Sequence, residues 1–171
     1  LAEVPFKPYE GRQQPTDKEG ILRLTMADPT SDGYNNGYFS SRAWALHSVG
    51  AWKTTTDLYR TFGVDLVGSE GRNQVFRAAD TERAESFVRE VGARYARDGG
   101  GGTGGRLEAS VPNLPGSVCI SRYANVSGAE NRIFTCSAAR GRYIASTQAS
   151  SLQQAQQSTA ASWTVIKNAG N

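Results

Sequence analysis

Two cysteines on either side of a short turn constrain this sequence more than any other feature. In VCISRYANVSGAENRIFTC the turn is centred near Ser127–Gly128, and a hairpin symmetric about it pairs each residue before the turn with one equally far after it. Cys119 and Cys136 are then directly opposite, as are Tyr123 and Arg132. Opposed Cβ atoms in a non-hydrogen-bonded pair are roughly 4.5 to 5.5 Å apart, so a small adjustment permits a disulfide.

The alternative for Cys119 and Cys136 is a pair of buried free thiols, which act as small hydrophobic side chains. A bridge that closes a loop of this size stabilises a fold by about 3 kcal/mol in the chain-entropy model. Because such a bridge persists only in an oxidising compartment, it favours an extracytoplasmic location. No metal site is predicted, since no further ligand lies near the two cysteines in the sequence.

The composition predicts one globular domain. The chain has 171 residues, of which 38% are hydrophobic and 20% are charged, and no apolar run approaches the length of a transmembrane helix. The net charge is only +3 and the basic residues are scattered, which argues against dedicated nucleic-acid binding. A mild attraction to an anionic lipid or polysaccharide stays open.

The chain divides into a short arm and one domain. Residues 1–20 contain three prolines among polar residues, which predicts an extended linker or arm. Residues 21–168 are predicted to form a single α+β domain, which begins with a short strand at residues 21–27. A loop rich in Gly, Asn and Tyr follows this strand.

A unit of short strand and amphipathic helix occurs three times after that loop. In the first copy a strand at residues 42–49 precedes a helix that ends at Gly63. In the second copy two short strands around a Gly68–Gly71 turn precede a helix that Asp80 caps and whose apolar stripe reaches Tyr95.

In the third copy a strand at residues 142–147 leads into the last helix. Ser150 or Ser151 is positioned to cap that helix. Helical spacing places one set of side chains on a single face: Leu152, Ala155, Thr159, Trp163 and Ile166.

The run Gly99–Gly105 lies between the second and third units and is predicted to be a flexible surface loop, because it follows a helix and lacks the Gly-Lys-Ser/Thr ending of a phosphate loop. Strands that pair locally and are mixed with helices favour an α+β fold. We expect a mixed or antiparallel sheet with three amphipathic helices packed mainly on one face and a C-terminal, disulfide-closed hairpin.

The loop at residues 33–44 is the predicted ligand-binding region. Aromatic rings supply apolar area and amides supply orientation, a combination typical of a sugar or peptide platform. The alternative is that Trp44 and one or two of the rings pack into the core. The candidate residues are Tyr34, Asn36, Tyr38, Arg42 and Trp44.

His47 is the only histidine, and it follows this loop closely. A lone histidine needs Cys or carboxylate partners to bind zinc, or a strained nucleophile turn such as Gly-x-Ser-x-Gly to take part in catalysis, and the sequence has no such turn. A structural, hydrogen-bonded role is expected, with His47 a further candidate for ligand binding. No catalytic residue and no cofactor is predicted.

Several segments resemble a family of secreted lipoproteins of the actinobacterial cell envelope, found in mycobacteria and nocardiae. They are GILRLTM, NNGYFSSRAWALH, TTTDLYRTFGVDLV, NQVFRAAD and the closing VCISR…IFTCSAARGRYIA…LQQAQQSTAA. The resemblance covers most of residues 20–168 and corresponds to the C-terminal part of the family, whose function is not established. It implies an acylated cysteine and a further domain upstream of Leu1, and a pair of hairpin cysteines that recurs in the family.

These observations favour a non-enzymatic, extracytoplasmic domain that reaches the membrane only through an upstream lipid anchor. Its expected partner is an envelope lipid, glycan or protein, bound by the loop at residues 33–44 and the tip of the cysteine hairpin. One alternative is an architectural subunit of an envelope assembly, which an apolar patch around Trp163 and Ile166 would favour. A less favoured alternative is a hydrolase that uses His47.

Overall fold

Seven strands form a single sheet in the computed structural model, which describes residues 37–40, 52–70, 72–102, 105–123 and 132–166. Each neighbouring pair of strands is antiparallel. In chain order the strands are β1 Gly37–Ser40, β2 Leu66–Glu70, β3 Asn73–Arg77, β4 Arg106–Ala109, β5 Val118–Tyr123, β6 Arg132–Arg140 and β7 Tyr143–Ala149.

The strand order across the sheet is β1-β2-β3-β7-β6-β5-β4. Two meanders, β1 to β3 and β4 to β7, are joined where β3 pairs with β7 and Val75 lies opposite Ala145. The chain must therefore cross from the middle of the sheet to its far edge after β3. A long helix, Thr81–Gly102, makes that crossing and leaves β4 as an outermost strand of the described sheet.

Three helices cover the sheet, and they are α1 Trp52–Phe62, α2 Thr81–Gly102 and α3 Leu152–Val165. Tyr59 of α1 and Phe87 of α2 are buried against Val67, Phe76 and Ile144, which lie on one face, hereafter the helix-pair face. Its core is rich in aromatic rings, and the Tyr59 and Phe76 centroids are 5.8 Å apart.

Helix α3 covers the opposite face, hereafter the α3 face, where Val75, Tyr143 and Ala145 pack with Trp163 and Ile166. Successive residues of a strand point to opposite faces. Val75 and Phe76 are neighbours on β3 and are both buried, so both faces of the sheet are covered at this strand. The α+β prediction is confirmed. Two of the three helices share one face, and α3 completes a third layer.

The predicted end of α1 at Gly63 is confirmed. Gly63 has φ +62°, Gly63 N–H donates to the Arg60 carbonyl over 3.2 Å, and Val64 N–H donates to the Tyr59 carbonyl over 2.8 Å. This pair of bonds is a Schellman motif, which favours glycine at the left-handed position. A Cβ at Gly63 would also lie only 2.7 Å from the Cβ of Ala79.

The predicted starts of the other two helices are also confirmed. The Asp80 carboxylate accepts a 2.8 Å hydrogen bond from the Arg83 backbone N–H at the start of α2. Of the two candidate serines before α3, Ser151 is the cap, since its hydroxyl accepts from the Gln154 N–H over 3.2 Å. The residues predicted to share one face of α3 all pack toward the sheet.

The cysteine hairpin has the predicted register. Cys119 pairs with Cys136 and Tyr123 with Arg132, and a disulfide joins the two cysteines with their Cα atoms 4.1 Å apart. Both cysteines are fully buried on the α3 face, where they pack against Val111 and neighbouring small side chains. The bridge therefore ties β5 to β6 inside the core.

Two local predictions were wrong. The segment predicted to be a loop from Gly99 is helical as far as Gly102. Glycine costs roughly 1 kcal/mol relative to alanine in a helix, but extending a helix that is already formed fixes only one further residue for each hydrogen bond gained. Gly68, predicted in a turn, lies inside β2 opposite Val75. The predicted linker at residues 1–20 and the strands predicted at residues 21–27 and 42–49 lie outside the described residues.

Candidate functional site

The predicted ligand-binding loop lies almost wholly outside the described residues, so the roles expected of its side chains stay predictions. Tyr38 is on β1, where its backbone pairs with Gly68 of β2. The tip of the cysteine hairpin, residues 124–131, is also outside. So are the other five candidates, which are Tyr34, Asn36, Arg42, Trp44 and His47.

The described residues place a candidate site at the opposite edge of the sheet, on β4. Arg106 pairs with Ser121 and Leu107 with Ile120, but Ala109 pairs with Cys119, so Glu108 is an extra residue in a β-bulge. A bulge redirects side chains relative to the regular alternation of a strand. The Glu108 carboxylate lies on the α3 face, where it meets Arg106 and Ser121.

Four polar side chains surround the bulge and form what we call the Glu108 network. Ser121 Oγ donates to Glu108 Oε1 over 2.5 Å and accepts a hydrogen bond of the same length from Arg132. Arg106 Nε donates to the same carboxylate oxygen over 3.0 Å. Ser121 is fully buried, and the Glu108 side chain is only 20% exposed. The network therefore fastens the edge strand β4 to β5 and β6.

The electrostatics of this network keep Glu108 ionised. The hydrogen bond from Ser121, helped by the bond from Arg106 and the positive charges of Arg106 and Arg132, holds the pKa of Glu108 below its usual value, although burial acts to raise it. Arg132 also lies over the ring of Tyr123, with its Cζ 4.4 Å from the centroid.

An open groove of about 460 Å³ lies on the helix-pair face beside this bulge, between α2 and the β4–β5 pair. We call it the β4 groove. Small and apolar side chains line most of it, and Leu107 in its wall is 45% exposed. The charged residues in its lining are Arg89 and Glu108. Its apolar lining residues are Gly92, Ala93, Leu107, Ala109 and Val118.

Gly92 sets the distance between α2 and β5 along this groove. A Cβ built on Gly92 would lie 3.0 Å from Cγ1 and 3.1 Å from Cγ2 of Val118, closer than ordinary van der Waals contact. Glycine in the interior of a helix is otherwise unfavourable. At this position it permits the helix to approach the strand.

Two consecutive turns lie in the segment Val111–Ser117, and Gly116 and Ser117 at its end line the groove. Asn113 and Gly116 have φ of 63° and 77°, each follows a proline, and each turn closes with a 3.2 Å hydrogen bond. Proline followed by Asn or Gly is the pattern of a type II turn. Ser117 Oγ accepts from the Val111 N–H over 2.8 Å and so joins the two turns.

The chemistry of this corner is that of a structural network beside an open, mostly apolar groove. A general base must hold a proton taken from its nucleophile, and a carboxylate of lowered pKa holds one weakly. The only hydroxyl in the network, that of Ser121, is fully buried. Among the described residues no group of three His, Cys, Asp or Glu side chains is placed to hold a metal ion.

An exposed apolar patch around Trp163 and Ile166 would favour an architectural role, but both side chains pack against the sheet. Ile166 is fully buried, and Trp163 packs against the sheet with its Nε1 donating to the Ala139 carbonyl over 2.8 Å. Arg140 lies over the Trp163 ring at 4.4 Å. These two residues therefore do not form an exposed apolar patch.

A family model described as a domain of unknown function, DUF7373, C-terminal, matches residues 12–169. The chain belongs to the DUF7373 family. Every described strand and helix of this DUF7373 C-terminal domain lies inside the matched segment, including the disulfide and the β4 edge. No match to a curated protein or to a solved structure was found.

Within the described ranges of the DUF7373 domain, none of the helices combines the length and the apolar character needed to cross a bilayer.

Sequence reasoning missed the β4 groove and the Glu108 network. The repeated turn in VPNLPGS was a readable signal, because two x-Pro-Asn/Gly steps in seven residues predict two type II turns. No comparable signal marks Glu108. Its role depends on a bulge and on the pairing of β5 with β6, which bring Ser121 and Arg132 to it.

Proposed function

We propose that this domain is a non-enzymatic, extracytoplasmic binding domain of the actinobacterial cell envelope and that the β4 groove receives an alkyl group of its ligand. The groove is the observation that carries the proposal. Its volume of about 460 Å³ is in the range of small-molecule sites, and small apolar side chains line most of it. An upstream lipid anchor, as the lipoprotein resemblance implies, would keep the domain near envelope lipids.

The buried disulfide supports the extracytoplasmic part of the proposal. A structural bridge such as Cys119–Cys136 forms and persists in an oxidising environment. The redox state of the two cysteines in protein recovered from intact cells tests this location, and free thiols there would contradict it.

The edge strand itself is a poor acceptor for a partner strand, and this favours the groove as the binding surface. Strand β4 has only four residues, contains a bulge and carries the charged side chains of Arg106 and Glu108. Short length, bulges and charges are features that oppose strand addition at sheet edges. A ligand is therefore expected to sit between the strand and α2 rather than to extend the sheet.

A series of alkyl maltosides tests this proposal. Their heads are uncharged, so binding from six to twelve carbons, at concentrations below micelle formation, reports on alkyl burial alone. Full burial of a CH₂ group is worth about 0.8 kcal/mol, or about fourfold in affinity, and an open groove buries part of each. We expect saturable binding that strengthens about two- to fourfold per CH₂ until the groove is full. Binding is measured by nuclear magnetic resonance, from the shifts of the methyl groups of Leu107, Val118 and Ala93.

A groove-filling substitution supplies the control. Ala93→Leu places a larger side chain in the groove and is expected to weaken maltoside binding at least about fivefold, the loss of one or two buried CH₂ groups. Ala161→Leu is the matched variant, since Ala161 is exposed on α3. Shifts that never saturate, or equal binding by both variants, would show that the groove is not the site.

A further inference from the structure

We infer that the ligand of the β4 groove carries an anionic headgroup and that Arg89 binds it. This inference rests on the proposed function, because it needs an alkyl group in the groove. It concerns the other half of the ligand, whose chemistry follows from the charged side chains at the groove.

Arg89 lines the groove, and its ion pair with Glu85 is long and exposed. Its side chain is 62% exposed, its Nη1 is 3.8 Å from the carboxylate of Glu85, and its Nη2 donates to Ser86 Oγ over 2.6 Å. By comparison, Arg94 Nε on the same helix donates to Glu90 over 3.0 Å. A guanidinium has five N–H donors, so Arg89 retains donors for a ligand.

Glu108, the other charged residue of the lining, does not oppose an anion at this place. Its carboxylate is bonded to Arg106 and lies 3.9 Å from Arg132, so one negative charge faces two positive ones. That carboxylate also lies on the α3 face, where it meets Ser121. Of the two charged residues in the lining, Arg89 is therefore the one that can bind an anion.

An apolar groove with a guanidinium beside it is complementary to an amphiphile with an anionic head. Arginine binds phosphate and carboxylate groups through two parallel N–H···O bonds, and this geometry distinguishes an anionic head from a neutral sugar. We therefore assign the ligand to the alkyl phosphates and related anionic lipids, with the chain along α2 and the head at Arg89.

The test compares decyl phosphate with decyl maltoside, both as monomers at low ionic strength. We expect decyl phosphate to bind up to about fivefold more tightly, the upper range for an exposed ion pair, and the difference to shrink as salt is added. In Arg89→Gln this preference should be lost while decyl maltoside binding is unchanged.

Arg97→Gln is the matched control. Arg97 is on the same helix, its side chain is 63% exposed, and its carboxylate partner Glu90 is 3.6 Å away, so it matches Arg89 in exposure and in ion-pair distance but lies outside the groove lining. It should keep the preference for decyl phosphate.

The outcomes separate the two proposals. If decyl maltoside binds in the groove but decyl phosphate binds no better, the anionic head is wrong and the alkyl site stands. If Arg97→Gln loses the preference as fully as Arg89→Gln, the attraction is the diffuse charge of α2 and the assignment to Arg89 is wrong. If neither amphiphile binds, both proposals are wrong.

Discussion

Removal of the Cys119–Cys136 bridge should lower the stability of the domain by about 3 kcal/mol. The two residues are 17 positions apart, and the chain-entropy model converts a closed loop of that size to about 3 kcal/mol at 25 °C. For a chain of 171 residues, this corresponds to a fall in melting temperature of roughly 6 to 12 °C. The loss should come mainly from the unfolded state, which gains freedom when the loop opens.

Urea denaturation of three samples measures this loss. The samples are the oxidised protein, the protein reduced after unfolding and refolded with reductant, and the double variant Cys119→Ala/Cys136→Ala. The reduced protein keeps both sulfur atoms, so its difference from the double variant isolates the effect of lost side-chain volume. The double variant should not respond to reductant. A difference below about 1 kcal/mol between oxidised and reduced protein would refute the chain-entropy reasoning.

The buried position of the bridge adds a kinetic expectation to the same experiment. Both sulfur atoms belong to fully buried residues, so a reductant can reach them only after local or global opening of the hairpin. Reduction under native conditions should therefore be slow and should accelerate in urea well below the unfolding midpoint. Rapid reduction in the absence of urea would show that β5 and β6 separate readily.

Three further predictions test other parts of the fold. Glu108→Gln should reduce stability at neutral pH, because a carboxylate of lowered pKa stabilises the fold only while it is ionised. The difference in stability from wild type should shrink as the pH falls below about 5 in acid titrations monitored by circular dichroism. A pH-independent difference would contradict this. Gly92→Ala should destabilise, despite the better helix propensity of alanine, because its Cβ meets Val118 at 3.0 Å; a higher melting temperature would contradict the close approach. Ser151→Ala should cost about 1 kcal/mol in urea denaturation through loss of the α3 cap, and the neighbouring Ser150→Ala should cost much less; equal losses would mean that Ser151 is not the cap.

Features set by local sequence were predictable. The end of α1 was marked by Gly63 after an amphipathic stretch. The start of α2 was marked by Asp80 just before an amphipathic stretch, where its carboxylate accepts from the Arg83 backbone N–H. The register of the cysteine hairpin followed from the position of its turn, since a hairpin pairs residues at equal distances from it. In each case the residues that decide the structure are close together in the chain.

Features set by distant parts of the chain were not predictable in the same way. The pairing of β3 with β7 joins Val75 to Ala145, and no pattern within either strand identifies its partner. The placement of α3 on the opposite face depends on this pairing, because it decides which side of β7 is left uncovered by α1 and α2. The second meander alone has two edge strands, β4 and β7, and the pairing of β7 with β3 leaves β4 as the outermost one in the described sheet.

Strand β5 links the bridge to the groove through its alternation. Cys119 points to the α3 face, where it is bonded to Cys136 of β6, and its neighbour Val118 points to the helix-pair face, where it lines the groove. Ser121, two residues beyond Cys119, holds Glu108 and so the bulge of β4. The same strand therefore carries on one face the contacts that fix the edge of the sheet and on the other the surface that a ligand would meet. A disulfide on β5 therefore anchors the strand that lines the groove, although Cys119 itself is not in the groove lining.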